Sequence, residues 1–344
     1  MIEQHGLDDA KRPKLTASAL CELYLKENLL RPATEIVYRG VAARFDKFSG
    51  NRDVDEIDLA LVIEWRDAVL GKASPRSWNT YLAHIRTLWN WGMRRHHITV
   101  TASPFREIKR APVPVKPKKT LAEGLFASVL DYLQEDAKAP QPAWFWSIVL
   151  RVFYYTAIRK RQLLEMQWGD LDLKHGTLRL RAESSKTRRE WTIPLTPEVV
   201  RDLGHLRDRT FRAYAEREQI VESAREMPVF NLPLFNPDFS GDRLTAYALE
   251  GFCRKIRYRF GNSISPHRFR HSTATSLANE SGSNLKALQQ YLGHTSMQTT
   301  LEYVHPDLAQ MRDLVERLPA PRTKGYDSKA IACKPRAGRE TRGR

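Results

Sequence analysis

The sequence predicts a mainly α protein with a small antiparallel β-sheet, built as two domains, a helical one followed by a mixed α+β one. Three observations predict it. Apolar residues recur at helical spacing through residues 14–110; the stretch Ala111-Pro-Val-Pro-Val-Lys-Pro-Lys-Lys119 interrupts that pattern; and beyond it a window of period-two alternation stands among further helical segments. At 344 residues the chain exceeds one ordinary core, and 42% hydrophobic with 28% charged residues is a globular composition.

The elements follow in chain order. A short helix is predicted from Ala17 to Leu29. After Pro32, which favours a helix start, Val37, Val41, Phe45 and Phe48 mark a second, and Ile57, Leu61, Trp65 and Leu70 a third. A fourth runs from Ser77 to Met93 with Trp78, Leu82, Ile85 and Trp89 on one face. Residues 111–120 read as a semi-rigid linker, because proline fixes φ and favours extended backbone. The second domain, residues 121–318, opens its clear signals with a strongly apolar helix from Ala143 to about Ala157. Leu178 and Leu180 then alternate with arginines, as do Trp191, Ile193 and Leu195 with polar residues, across the polar tip Ser184-Ser-Lys-Thr187; this predicts a β-hairpin. From Pro197 the signals are helical again, broken by a loop between Met227 and Asp242, and residues 319–344 read as a basic tail without apolar period.

Composition excludes several classes. No stretch approaches the ~20 apolar residues of a membrane helix, and the N-terminus lacks the order of a signal peptide. Cys21, Cys253 and Cys333 are too few and too scattered for a disulfide framework or a structural zinc site, which fits a reducing cytoplasm. The formal net charge of +16 favours a polyanionic partner.

Three segments carry chemistry. Arg159, in Tyr155-Thr-Ala-Ile-Arg159, follows the buried helix, where a planar guanidinium can hold two phosphate oxygens. Ser265-Pro-His-Arg-Phe-Arg-His271 places His267 and Arg270 on one helical face; His267 and His271 have zinc-helix spacing, but Arg268 stands where that motif needs an acid, so no metal is expected. In Tyr291-Leu-Gly-His-Thr-Ser296, Gly293 ends one helix and the Thr-Ser pair caps the next, leaving His294 at the junction and Tyr303 beyond it.

Together these blocks resemble the tyrosine recombinase, or phage integrase, family over residues 121–318, and the preceding helical segment resembles that family's core-binding domain. The resemblance implies six catalytic positions, Arg159, Lys186 on the hairpin tip, His267, Arg270, His294 and Tyr303, in that order. It implies transfer of a DNA phosphodiester to Tyr303 as a 3′-phosphotyrosine, without metal, nucleotide or other cofactor. In that scheme Arg159 and Arg270 hold the non-bridging oxygens, Lys186 protonates the departing 5′-oxygen, His267 accepts the tyrosine proton and His294 hydrogen-bonds the phosphate. The implied partners are double-stranded DNA with inverted-repeat half-sites and three further copies of the chain in a tetramer, with the bacterial nucleoid as the place of action. Arg86, Arg94, Lys118, Lys119 and Arg268 are the candidates for backbone phosphate contacts.

Two positions depart from the family pattern: Ala157 stands for the glycine before the first arginine block, and Gln162 for the acid three residues after Arg159. The helical spacing of Leu308, Met311 and Leu314 or Val315 predicts a terminal helix that packs on a neighbouring subunit, and a start near residue 14 leaves no room for an additional N-terminal arm-binding domain. Integration or excision of a mobile element is the expected role. Resolution of chromosome dimers, a monomeric relaxing activity of the type IB topoisomerase kind, and a non-catalytic DNA-binding regulator are the alternatives.

Overall fold

The structure, a computed structural model, describes residues 14–114, 119–184, 189–217, 223–261, 264–280, 282–304, 311–312 and 315–318. The chain divides into two compact units, Met1–Lys116 and Pro117–Arg344. Lys118, Lys186 and residues 319–344, named above, lie outside the described residues, as does most of the expected terminal helix.

Among its described residues the first unit holds the α-helices α1 (Ala17–Glu27), α2 (Pro32–Ser49), α3 (Leu59–Leu70) and α4 (Pro75–Arg94). Their starts have local causes: Pro32 and Pro75 occupy the first turns of α2 and α4, and the side chains of Asp58 and Ser74 cap α3 and α4. The core is aromatic. Phe45 packs edge-on against Trp65 and Trp89, and Phe105, from the segment after α4, closes over Trp89. Buried Asp46 on α2 accepts from the backbone N–H groups of Ala17 and Ser18, which ties the N-terminus of α1 to α2.

In the second unit, α5 (Leu125–Glu135) packs on α6 (Ala143–Thr156), which is buried along most of its length and is the central helix of the core. A five-residue helix, α7 (Lys160–Leu164), follows and leads to a three-stranded antiparallel sheet, β1 (Leu171–Asp172), β2 (Thr177–Leu180) and β3 (Trp191–Pro194), in that spatial order. Leu178 pairs with Ile193 and Leu180 with Trp191, so Leu178, Leu180 and Ile193 all reach the core. Strand β1 goes beyond the predicted hairpin; two residues are too few to show alternation.

The base of the hairpin is tied down by charge. Asp170, buried just before β1, meets Arg179 at 3.3 Å and Arg181 at 3.1 Å. Arg181 also bonds the Gln167 side chain and the carbonyl of Glu165, the residue that ends α7. Among the described residues follow helices α8 (Pro197–Glu216), α9 (Ala246–Phe260), α10 (Pro266–Asn279), α11 (Leu285–Leu292) and α12 (Met297–Leu301). The loop predicted between Met227 and Asp242 is packed rather than solvated: Val229, Phe230 and Leu232 are buried, and Asn231 bonds the Tyr214 hydroxyl and the Leu234 N–H. Among the described residues no helix is long and apolar enough to cross a membrane.

Candidate active site

Helix α6 delivers the first arginine. It ends at Ala157, buried, with φ 49° and ψ 23°, a left-handed conformation that costs a non-glycine residue ~1–2 kcal/mol. The turn sends the chain through Ile158 to Arg159, whose backbone N–H donates to Gln162 Oε1 at 2.9 Å. Gln162 therefore does a capping job for which either an amide or a carboxylate oxygen would serve, although buried Nε2 of this amide finds no partner. The Arg159 guanidinium is also short of partners: Nη1 is buried and unbonded. Burial pushes its pKa below the usual arginine value, opposed by the nearby Tyr303 phenol.

Arg270, on the first turns of α10, is buried outright at 5% exposure. Its Nη1 donates to the carbonyl of Ala157 at 2.6 Å, and its Nη2 to the carbonyl of Leu292 at 2.7 Å. These carbonyls stand at the C-terminal ends of α6 and α11, where helix carbonyls lack intrahelical donors and carry the negative end of the macrodipole. Two helix ends thus take the place of a carboxylate beside a buried cation. Burial and, second, the charge of Arg159 lower the pKa of Arg270 to about 10, which still leaves it charged at neutral pH.

The same Nη2 lies 3.0 Å from His294 Nε2, and His294 Nδ1 lies 2.9 Å from Thr300 Oγ1. A guanidinium can only donate, so Nε2 must be the unprotonated nitrogen and Nδ1 must carry the proton and donate it to Thr300. His294 is therefore held neutral, in one tautomer, as a strut beneath Arg270. Its position depends on Gly293, which ends α11 at φ 63° and lies so close to Trp191 of β3 that an added Cβ would fall 2.3 Å from the indole ring. The Trp191 Nε1–H donates to the carbonyl of Tyr291 at 3.2 Å, joining the hairpin to the same helix end.

Tyr303 follows α12 and is itself only 3% exposed, among Ala157, Ala274, Ala278, Leu288 and Leu292. Its carbonyl accepts from Asn279 Nδ2 at 2.9 Å, and its hydroxyl lies 3.1 Å from His271 Nδ1. His267, one turn earlier on α10, is exposed, its ring 6.1 Å from that of His271. Partial desolvation and the charges of Arg270, Lys160 and Arg159 push its pKa below the usual histidine value.

The phage integrase family matches residues 126–310, the stretch that holds these two arginines, the histidine and the tyrosine. The chain belongs to the phage integrase family. Two relatives, each named a putative tyrosine recombinase XerC, come from Pseudomonas syringae and Pseudomonas aeruginosa. They are 29% and 31% identical to it over 88% and 87% of this chain, which spans 64% and 70% of their own lengths. A solved structure of the Tn1549 transposon integrase in complex with a circular intermediate DNA matches 89% of this chain and all of that one, with a TM-score of 0.67 at 18% identity.

Of the six positions implied by the integrase resemblance, the structure gathers Arg159, Arg270, His294 and Tyr303, places His267 at their exposed edge and leaves Lys186 outside the described residues. His271 and Thr300 touch members of this group and were not assigned a role from sequence; nothing in helical spacing tells which of two histidines four apart meets a tyrosine 32 residues on. Among the phosphate-contact candidates, Arg94 and Lys119 are exposed and Arg268 is half-buried beside the site. Arg86 departs from the sequence reading: its Nε and Nη2 donate to the carbonyl of Phe105, and Nη2 also to that of Ile108, so it fastens the segment after α4.

Proposed function

We propose that the chain is a site-specific DNA recombinase that cuts and rejoins DNA through a covalent 3′-phosphotyrosine at Tyr303. The observation that carries this reading is the Tyr303 hydroxyl beside two desolvated arginines, one of which, Arg159, keeps a buried nitrogen without a partner. A buried unsatisfied donor costs ~1–3 kcal/mol, more for a charged group, and a phosphodiester oxygen would satisfy it. Arg159 and Arg270 then stabilise the charge that develops as the phosphorus becomes five-coordinate. His294 braces Arg270 and, in the tautomer it holds, offers no proton to the phosphate. His267, exposed on α10, is proposed to contact the phosphate. Lys186, between the strands of the hairpin in sequence, is the proposed acid for the departing 5′-oxygen.

The proposed substrate is duplex DNA carrying inverted-repeat half-sites, engaged by residues 14–110 and 121–318 together, with four copies of the chain on two paired sites. The exposed cations of α9, Arg254, Lys255, Arg257 and Arg259, and those of residues 111–120 would supply the salt-sensitive grip. Integration or excision of a mobile element is the proposed role within this class. It predicts recombination junctions at the borders of such an element; junctions at a chromosomal dimer-resolution site would replace that role with the other. The chemistry is tested with a nicked duplex that lets the 5′ fragment diffuse away after cleavage. The wild type should accumulate a covalent complex that survives denaturation and Tyr303→Phe should not; the reading fails if both, or neither, form the complex on a genuine site.

A further inference from the structure

We infer that Arg181 is a positioning residue for Arg159, acting through helix α7 from the base of the hairpin. The inference rests on the recombinase reading above, in which Arg159 holds a phosphate oxygen, and adds the residue that keeps Arg159 in place. Arg159 is the N-cap of α7, whose five residues fall well short of the ~12–15 at which a helix becomes marginally stable by itself. So short a helix keeps its shape only if both ends are tied. The tie at its start is local: the Arg159 carbonyl accepts from the Leu163 N–H, and buried Gln162 takes the Arg159 N–H on its Oε1. The tie at its end comes from Arg181, 16 residues on from Glu165. Arg181 Nη2 donates to the carbonyl of Glu165, the residue that closes α7, and Nη1 donates to Gln167 Oε1 at 2.9 Å. Its Nε meets Asp170 Oδ2 at 3.1 Å, and the same oxygen accepts from the Gln167 N–H at 3.0 Å, so the segment leaving α7 is gripped from two sides.

Two features separate this role from others that an arginine beside a DNA-cutting site could have. All three guanidinium nitrogens of Arg181 have acceptors within the protein, whereas Arg159 keeps a buried nitrogen without one, so Arg181 is a fastener rather than a phosphate ligand. Its acceptors are a backbone carbonyl, an amide oxygen and a carboxylate spread around one plane, a set that a rigid fork serves and an ammonium does not. Arg179, two residues earlier, meets the same Asp170 at 3.3 Å with half of its side chain exposed, and so provides a control: its loss weakens the ionic cluster without releasing the end of α7. Without Arg181 the Glu165 carbonyl and Gln167 lose their donor, and α7 frays from its last turn. Gln162, one turn back, then no longer fixes the Arg159 backbone. Stabilisation of transition-state charge depends on donors already in place, so the loss falls on the rate of cleavage more than on the binding of DNA.

The test uses the full chain and a nicked duplex recovered by covalent capture from its own genomic DNA, with the single-turnover rate of adduct formation as readout. Arg181→Met keeps an apolar stem and removes the donors; it is expected to slow cleavage by ~10–100-fold, the scale of a small misplacement, with the salt dependence of duplex binding unchanged. Arg179→Met should stay within ~3-fold of the wild type. The deciding measurement is a cycle with Arg159→Lys, which keeps the charge at 159 but has no fork left to place. In that background Arg181→Met should cost less than ~3-fold, whereas a merely structural loss would multiply through undiminished. A duplex with a methylphosphonate at the scissile position, which carries no charge for Arg159 to stabilise, gives the same comparison independently, and there Arg181→Met should again lie within ~3-fold of the wild type. The inference is overturned if Arg181→Met cleaves the ordinary duplex within ~3-fold of the wild type, or if its loss persists beside Arg159→Lys and on the methylphosphonate. It is overturned as well if Arg181→Met lowers the slope of log K against log salt by ~0.9, the mark of a phosphate contact. If the wild type forms no adduct dependent on Tyr303, the recombinase reading falls and takes this one with it; an adduct formed equally well by Arg181→Met removes this one alone.

Discussion

Adding one methyl group at Gly293 should disturb both the stability and the chemistry of the site. Two costs can be worked out separately. The residue sits at φ 63° and ψ 41°, where alanine is worse than glycine by ~1–2 kcal/mol. The new Cβ would also lie 2.3, 2.5 and 2.7 Å from three atoms of the Trp191 ring, where carbon atoms normally stand ~3.5–4.0 Å apart. The indole must then retreat by about 1 Å or more, away from its hydrogen bond to the Tyr291 carbonyl, and such overpacking costs ~1–3 kcal/mol. Gly293→Ala should therefore destabilise α11 and α12 by ~2–5 kcal/mol, read as faster hydrogen exchange of their amides by mass spectrometry. The same change in a Trp191→Leu background should cost only the backbone part, ~1–2 kcal/mol, so the two substitutions should couple by ~1–3 kcal/mol. Costs that add to within ~0.5 kcal/mol would show that the glycine is not needed for the approach of the hairpin, and the reasoning would be refuted. Because His294 is the next residue, Gly293→Ala should also slow formation of the covalent complex.

Three further outcomes are expected. Thr300→Val removes the hydroxyl acceptor of the His294 Nδ1–H, a loss of ~1–3 kcal/mol with slower cleavage, and Thr300→Ser should restore both in thermal melts and adduct assays. Arg86→Ala should lower the melting temperature by the loss of its carbonyl bonds while leaving the salt dependence of DNA binding unchanged, whereas Arg94→Ala or Lys119→Ala should each reduce the slope of log K against log salt by up to ~0.9. His267, with its folded pKa depressed, binds a proton more readily in the unfolded chain, so stability should rise with pH between that depressed value and ~6.5, and His267→Gln should flatten this part of the melting profile against pH.

Much of the fold could be read from the residues because its main elements are amphipathic and long enough to show a period. Helices α2, α4 and α6 announce themselves through Val41, Phe45, Trp78, Ile85, Trp89 and the near-continuous apolar run after Ala143, with Pro32 marking the start of α2; α4 begins at Pro75, two residues before the expected Ser77. Elements of two to five residues show no such period: β1 and α7 leave no sequence signal, whereas α12 is marked only by its Ser296 cap, and the sheet is fixed by tertiary partners, as Asp170, Arg179 and Arg181 show. The candidate site divides the same way. Its arginines and tyrosine stand out through residue type and order, while the choice of His271 over His267 beside Tyr303, the tautomer of His294 and the commitment of Arg86 to Phe105 and Ile108 depend on contacts across 19 to 32 residues or on a neighbour's inability to accept.

The net charge of +16 and the charge of the site are different things. Exposed lysines and arginines are screened by salt and set how strongly a polyanion is held. Arg159 and Arg270 are desolvated, and the energetic question is how the fold tolerates them. A buried arginine paired with a carboxylate would be stable but already neutralised. Here the Arg270 guanidinium is held by the carbonyls of Ala157 and Leu292, which orient it by partial charge without cancelling it, and the residue three after Arg159 is the uncharged Gln162, which bonds the Arg159 backbone N–H. In the proposed reaction an arriving phosphodiester would bring the first full negative charge to the pair and satisfy the buried Arg159 nitrogen that has no partner. In that reaction this charge would grow on the phosphoryl oxygens as Tyr303 attacks, and the arginines would then bind the transition state more tightly than the intact strand, which is what acceleration requires.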